Sequence, residues 1–226
     1  MTRCAMILAA GRGTRLRPLT DVLPKPLVEV AGQPLIVHQL ERLRTVGVRR
    51  VVINLHHLGE SIAARLGNGA HWNLDIRYVH EPELLETAGG IIGALPLLGE
   101  DPFLVVNGDV YTDFDLHALA ALGEAQAHLL MVPRPLWQER GDFDLVESGR
   151  GSSRLGAGGP GSLTYAGIGR YHPSLFAGLA PGHRPLRPLL EAGIAAGTLT
   201  GQIHEGLWED VGTLDRLTEL RQRVGA

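Results

Sequence analysis

Lysine is nearly missing from this chain. Of 21 basic side chains in 226 residues, one is lysine, Lys25, and the rest are arginine. Arginine presents a flat fork of donors, lysine a compact ammonium that can point at one oxygen, so the single exception sets Lys25 apart. Cysteine is as scarce. Cys4 stands alone, which excludes an internal disulfide, fits a reducing compartment and leaves the thiol as a small core hydrophobe. Aromatic residues make up 5% against a hydrophobic content of 44%, so the core is mainly aliphatic and an aromatic cage for a quaternary ammonium lacks material. Basic residues do not exceed acidic ones; the net charge is −3, which excludes general affinity for nucleic acid or a membrane surface. No uninterrupted apolar run reaches membrane-spanning length, and Met1-Thr2-Arg3-Cys4-Ala5 has no signal-peptide pattern. The expectation is a soluble cytoplasmic protein.

Ala5-Met6-Ile7-Leu8-Ala9-Ala10 is a short apolar run that breaks at Gly11 and Gly13, the pattern of a buried strand opening into a backbone-lined loop. Glycines there can take positive φ and bring main-chain N–H groups close to an anion. Arg12, Arg15, Arg17 and Lys25 add positive charge on or beside the loop, so a polyphosphate is its natural ligand. Two other glycine loops are excluded by what is missing. A dinucleotide fingerprint needs glycine where this chain has Leu16, and it would run straight into a helix, whereas Pro18, Pro24 and Pro26 are expected to hold the chain extended. A P-loop needs Gly-Lys-Ser/Thr, a tripeptide that occurs nowhere in the sequence.

Strand and helix patterns alternate along the chain. Strands are expected at 3–8, 48–55, 74–79, 103–106 and 127–132, with helices at 34–46, 58–66, 86–95 and 116–122 between them. Such β-α-β alternation with short connections implies a mostly parallel sheet covered by helices on both faces. The second half is less regular. Strands at 143–147, 163–171 and 199–204 and helices at 186–196 and 214–223 frame a glycine- and serine-rich stretch, 148–162, expected to be a loop. With no internal repeat and no interdomain linker, residues 1–226 read as one domain.

In open parallel sheets, ligands bind beyond the carboxyl ends of the strands. Asp109 follows the apolar strand 103–106 and should lie at that edge, beside the glycine loop. Asp210, in Trp208-Glu209-Asp210-Val211-Gly212-Thr213, again follows a strand and precedes a helix. Taken singly, each could be an ordinary turn or helix-capping aspartate. Together they could supply the one or two carboxylates that magnesium takes from a protein. The histidines, His56-His57 included, show no ligand spacing, and none is assigned to catalysis.

Leu8-Ala9-Ala10-Gly11-Arg12-Gly13-Thr14-Arg15-Leu16-Arg17-Pro18-Leu19-Thr20, followed by Pro24-Lys25-Pro26-Leu27, closely resembles the opening of the sugar-1-phosphate nucleotidyltransferases. Asn107-Gly108-Asp109 resembles that family's central Asp segment, and Glu86-Thr87-Ala88-Gly89-Gly90 its sugar- and nucleotide-facing segment. The segment from Trp208 to Thr213 resembles the one carrying its second metal-binding Asp. The resemblance covers nearly the whole chain. It implies an α/β, Rossmann-like nucleotide-diphospho-sugar transferase fold, with residues 1–110 roughly for the nucleotide and 111–226 for the sugar. It also implies that Gly11, Arg12, Gly13 and Thr14 cradle a nucleoside triphosphate and that Arg15 meets its β and γ phosphates. Lys25 would bridge the α-phosphate and the sugar phosphate, and Asp109 and Asp210 would hold Mg2+. Glu86, Asn107, Gly141 and Asp142 would contact the sugar.

Among compact members, the segment around Asn107-Gly108-Asp109, Leu85-Glu86-Thr87-Ala88-Gly89-Gly90-Ile91 and Arg140-Gly141-Asp142-Phe143 are most similar to uridylyltransferases of cell-wall recycling. That implies UTP and N-acetylmuramate 1-phosphate as substrates. Ala88, where that group more often has glycine, and Leu84-Leu85, where it tends to carry proline, depart from the pattern. The Leu85–Gly90 segment also fits mannose- or heptose-1-phosphate guanylyltransferases. Phosphocholine cytidylyl transfer uses a similar loop but needs the aromatic cage excluded above. A non-catalytic nucleotide-sugar-binding regulatory protein would be expected to lose Lys25, Arg15 or one of the aspartates, and all four are present.

Overall fold

The computed structural model describes residues 2–120, 125–147, 153–159 and 161–225. Strand β1 (Cys4–Leu8) leads into three short 3₁₀ turns (Thr14–Leu16, Leu19–Asp21 and Lys25–Leu27), a small ribbon of β2 (Glu29–Val30) and β3 (Gln33–Pro34), and helix α1 (Leu35–Thr45). Next come β4 (Arg50–Leu55), α2 (Gly59–Leu66), β5 (Asp75–His80), α3 (Glu86–Leu98), β6 (Phe103–Asn107), β7 (Val110–Thr112) and α4 (Leu116–Ala120). The second half holds β8 (Ala127–Val132), β9 (Phe143–Glu147), β10 (Ser153–Ala157), β11 (Thr164–Tyr171) and α5 (Arg187–Ala195). It closes with β12 (Leu199–Ile203), β13 (Trp208–Asp210) and α6 (Leu214–Val224).

Nine of these strands form one sheet in the order β5-β4-β1-β6-β11-β8-β12-β10-β9. All but β10 and β11 run in the same direction, so the sheet is mostly parallel, as the alternation requires. Strand β1 shows why the sheet needs cover on both faces. Ala5 and Ile7 point into one apolar cluster with Leu40, Ile53 and Val106, while Met6 points into another with Val52, Ile91 and Val105. Successive side chains of a strand face opposite sides, so a strand buried throughout must be packed twice. The sheet continues without a break from the expected nucleotide-binding part into the sugar-binding part, through β6 paired with β11.

A third cluster is smaller and places the site. Leu16, Val28 and Leu35 from the stretch after β1 pack against Val211, Leu217 and Leu220, so α6 closes over the glycine loop. The amphipathic run of α6 buries this face, Arg216 included, and leaves Arg221 and Arg223 outward.

Two expectations are corrected. The chain from Thr14 to Leu27 is extended at Pro24 but not at Pro18 or Pro26; it makes three single 3₁₀ turns, the last holding Pro26 in its first positions, where the missing N–H costs nothing. The stretch 148–162 is not all loop. Residues 148–152 and 160 lie outside the described residues, as do 121–122 of the expected fourth helix. Within it, β10 pairs antiparallel with both β9 and β12 and buries Leu155. Glycine-rich composition hid a strand whose stability comes from two neighbours rather than from its own propensity.

Candidate active site

In-register pairing brings three strand ends together: Leu8 of β1 stands opposite Asn54 of β4 on one side and Asn107 of β6 on the other. Asn54 is buried and fastens the loops above this edge. Its Oδ1 accepts the Ala9 N–H at 2.8 Å, and its Nδ2 donates to Glu81 Oε1 at 2.7 Å. Glu81 Oε2 in turn accepts the Leu85 N–H at 3.2 Å, just ahead of α3. One amide and one carboxylate thus tie the glycine loop, the end of β5 and the start of α3 into a single wall.

That wall lines a cleft of about 280 Å³, with Gly11, Asn54, Glu81, Glu86, Thr87 and Asp109 among its residues. A Cβ on Gly11 would meet nothing within 4 Å, so its backbone opens onto free space rather than onto protein. Positive φ is confined to Gly13, at 62°, whose carbonyl accepts the Thr20 hydroxyl at 2.8 Å. Gly11 does without it. Arg12, Thr14 and Arg15 are exposed along the same loop. Glu86 starts α3 with φ 61°, rare for a residue with a side chain, and its carboxylate lies 3.9 Å from His183 Nε2.

Asp109 and Asp210 are brought together by a short ribbon. Strand β13 pairs antiparallel with β7, setting Asp210 opposite Val110, and the Val211 N–H donates to the Asp109 carbonyl at 3.1 Å. Between the two carboxylates stands Lys25. Its buried ammonium donates to Asp109 Oδ2 and, at 3.3 Å, to Asp210 Oδ1. Arg15 reaches Asp210 Oδ2 at 3.8 Å from the solvent side. The two aspartates, Lys25 and Arg15 are therefore one cluster.

On the far side lies a second cleft of about 320 Å³, walled by Trp137, Gln138, Tyr165, Trp208 and Asp210, with Arg15 at its edge. Asn107 borders both clefts. It can do so because Gly167 faces it: a Cβ there would stand 2.4 Å from Asn107 Nδ2. Gly141 and Asp142 are beside this cleft and not among its lining residues. Asp142 Oδ2 accepts the Tyr165 N–H at 2.9 Å and Oδ1 accepts from Arg187 at 3.1 Å, so its carboxylate holds the 133–142 loop against β11. Burial raises the Tyr165 phenol far above its ordinary pKa, keeping it neutral beside the Tyr171 hydroxyl with which it shares a hydrogen bond of 2.9 Å. Burial likewise raises Glu209 above the usual carboxylate range, against the pull of Arg216.

A divalent cation fits the aspartate pair on donor chemistry. Both carboxylates already reach one cationic nitrogen, and both are hard oxygen donors. Among the described residues no group of three or more His, Cys, Asp and Glu could hold a metal ion, so a closed protein cage is not the arrangement. Two carboxylates suit magnesium that arrives on a polyphosphate.

Asn54, Glu81, Trp137 and Arg216 belong to the site and carry no motif. Glu81 could have been found, since it follows β5 as Asp109 follows β6. Asn54 sits inside an apolar strand and gives no such signal.

The match to the nucleotidyl transferase family model spans residues 4–152. An N-acetylmuramate alpha-1-phosphate uridylyltransferase of Neisseria meningitidis serogroup B is 47% identical over 98% of this chain and 98% of its own. A mannose-1-phosphate guanylyltransferase of Mycobacterium tuberculosis is 39% identical over 51% of this chain and 32% of its own. Among solved structures, a UDP-glucose pyrophosphorylase complexed with UDP-glucose superposes with a TM-score of 0.84 at 18% identity, covering 99% of this chain and 98% of that one.

Proposed function

The chain belongs to the nucleotidyl transferase family, and from that premise we propose that it transfers a uridylyl group from UTP to N-acetylmuramate 1-phosphate, releasing pyrophosphate. The observation that carries the reading is the position of Lys25. Its ammonium stands where the two clefts adjoin, between an aspartate of one and an aspartate of the other. That is where a nucleotide in the first cleft and a sugar phosphate in the second would react. The choice of sugar and base rests on the 47% identical relative, matched end to end, against guanylyltransferases matched over half the chain.

A phosphate oxygen of the sugar 1-phosphate attacks the α-phosphorus of UTP; that O–P bond forms as the bond to pyrophosphate breaks, and no protein nucleophile intervenes. The second phosphate pKa near 6 leaves the attacking group largely dianionic at neutral pH. What the protein supplies is position and charge. The N–H groups of Gly11 to Thr14 and the Arg15 guanidinium receive the β and γ phosphates. Lys25 turns from its aspartates to hold the α-phosphate and the sugar phosphate together. Asp109 and Asp210 would hold a magnesium ion, which supplies neutralisation of the charge on the departing pyrophosphate when bound. Glu81 faces the first cleft as an acceptor, which suits a base offering a ring N–H, as uracil does. Asn107, which borders both clefts, serves the sugar, and the Gly141–Asp142 turn supports the loop that walls the sugar's cleft, while Glu86 lines the first cleft on the nucleotide side. We place this reaction in cell-wall recycling, in the cytoplasm.

Pyrophosphate release, assayed with UTP and GTP against N-acetylmuramate 1-phosphate and mannose 1-phosphate, tests the proposal. Turnover is expected with UTP and the muramate, and a preference for GTP with mannose 1-phosphate would replace the reading.

A further inference from the structure

Arg216 lies in the first turn of α6, just after Thr213, whose hydroxyl accepts its N–H at 3.3 Å. Only 10% of its side chain is exposed. A buried cation needs partners, and this one has an aromatic face and two carboxylates. The guanidinium carbon lies 4.1 Å from the centre of the Trp137 ring. Nη1 is 3.6 Å from Asp210 Oδ2 and 3.9 Å from Glu209 Oε1. On the remaining side the backbone closes in: a Cβ on Gly212 would stand 2.0 Å from Nη2. Nη1 and Glu209 Oε1 are both buried without a hydrogen-bond partner, so charge attraction rather than aligned N–H···O bonds holds this corner.

Three cations surround Asp210, and they are not equivalent. Arg15 is exposed and Lys25 is shared with Asp109, and both have phosphates to meet when substrate arrives. Arg216 is boxed in by Trp137, Gly212 and its own helix, so it stays. Trp137, half exposed, is at the same time a wall of the second cleft.

We propose that Arg216 is a positioning residue that links the sugar-side wall to the metal-binding carboxylate, its guanidinium held over the Trp137 ring and holding Asp210 at the junction of the clefts. The inference rests on the assignment of the second cleft to the sugar. A sugar packed against Trp137 fixes the ring, the ring fixes the guanidinium, and the guanidinium fixes the oxygen that Asp210 offers to a cation. The planar fork is what the stack requires, so lysine cannot substitute for it.

Mn2+ binding to the intact protein, followed by water-proton relaxation without substrates, tests this, with thermal melting as the fold control. R216K and W137A are each expected to bind Mn2+ about tenfold more weakly, the size of effect seen when the groups orienting a metal ligand are removed. Both should lower kcat while leaving the KM for UTP within about twofold, and the double variant should bind Mn2+ no worse than R216K alone. Mn2+ affinity in R216K within about twofold of the parent, or losses that multiply in the double variant, would overturn the proposal. If the parent protein fails to use any of the sugar phosphates tested above, the substrate reading falls, while the Mn2+ comparison still decides the role of Arg216.

Discussion

Lys25 fits its place because its head is small. Pro24 and Pro26 are buried on either side, and its ammonium must meet Asp109 and Asp210 together before turning to a phosphate. A guanidinium would grip the two carboxylates as a fork and keep them. Lys25→Ala is expected to lower kcat by at least about 100-fold, comparable to the loss of one preorganised donor at an oxyanion. Lys25→Arg should keep much of the UTP binding and lose most of the turnover. Steady-state kcat and KM separate the two outcomes; near-normal kcat in Lys25→Ala would remove Lys25 from the reaction. Asn54 acts at the same scale without touching chemistry. Asn54→Ala strips the Ala9 N–H of its acceptor and Glu81 of its donor, both in a buried setting. A loss of about 1–3 kcal/mol in urea unfolding is expected, with a raised KM for UTP because the glycine loop is no longer tied down.

At the scale of elements, the alternating strands and helices of the first half were legible because each carries its own apolar period, from Cys4–Leu8 to Phe103–Asn107. The short ribbons were not. Strands β7 and β13 are three residues each, too short to show any period, yet their pairing is what sets Asp210 beside Asp109. The sequence placed both aspartates at strand ends; that they meet depends on a contact between distant segments, which no local pattern encodes. Trp137 and Arg216 were hidden for the same reason, one in a proline-flanked loop and the other on the face of an ordinary amphipathic helix. The loop that carries Trp137 makes its own prediction. Gly141 lies so close to the segment leading into β11 that a Cβ would stand 2.0 Å from the Ser162 carbonyl oxygen, a backbone atom that cannot swing aside. Gly141→Ala is expected to cost about 1–3 kcal/mol and to lower the melting temperature. Because Asp142 would shift with it, the KM for the sugar phosphate should rise more than that for UTP. An unchanged melting curve with unchanged KM values would show that the loop does not depend on this contact.

Across the whole molecule, the sheet carries polar groups in places the site does not use, and one of them sets how the fold responds to acid. His128 is buried on β8, its Nε2 donating to Gln202 Oε1 at 3.0 Å and its Nδ1 accepting the Thr200 hydroxyl at 2.8 Å. Both ring nitrogens are satisfied in the neutral form, and a proton added at Nδ1 would force the Thr200 hydroxyl to turn from donor to acceptor while placing a charge in the buried sheet. Burial, helped by the nearby Arg170 charge, pushes the pKa down from 6.5 to about 4. Above pH 6.5 the ring is neutral in both the folded and unfolded chain, and its contribution to stability is complete. As pH falls from there to about 4, the unfolded chain binds a proton that the folded one refuses, so stability drops through that window and levels off below it. The loss attributable to this one group is on the order of 3 kcal/mol. Urea unfolding at neutral pH and near pH 5, for the parent and for His128→Gln, isolates it from the carboxylates that titrate lower. The parent should lose clearly more stability over that interval than the variant. Equal losses would mean that His128 takes up its proton in the folded sheet as readily as in the unfolded chain.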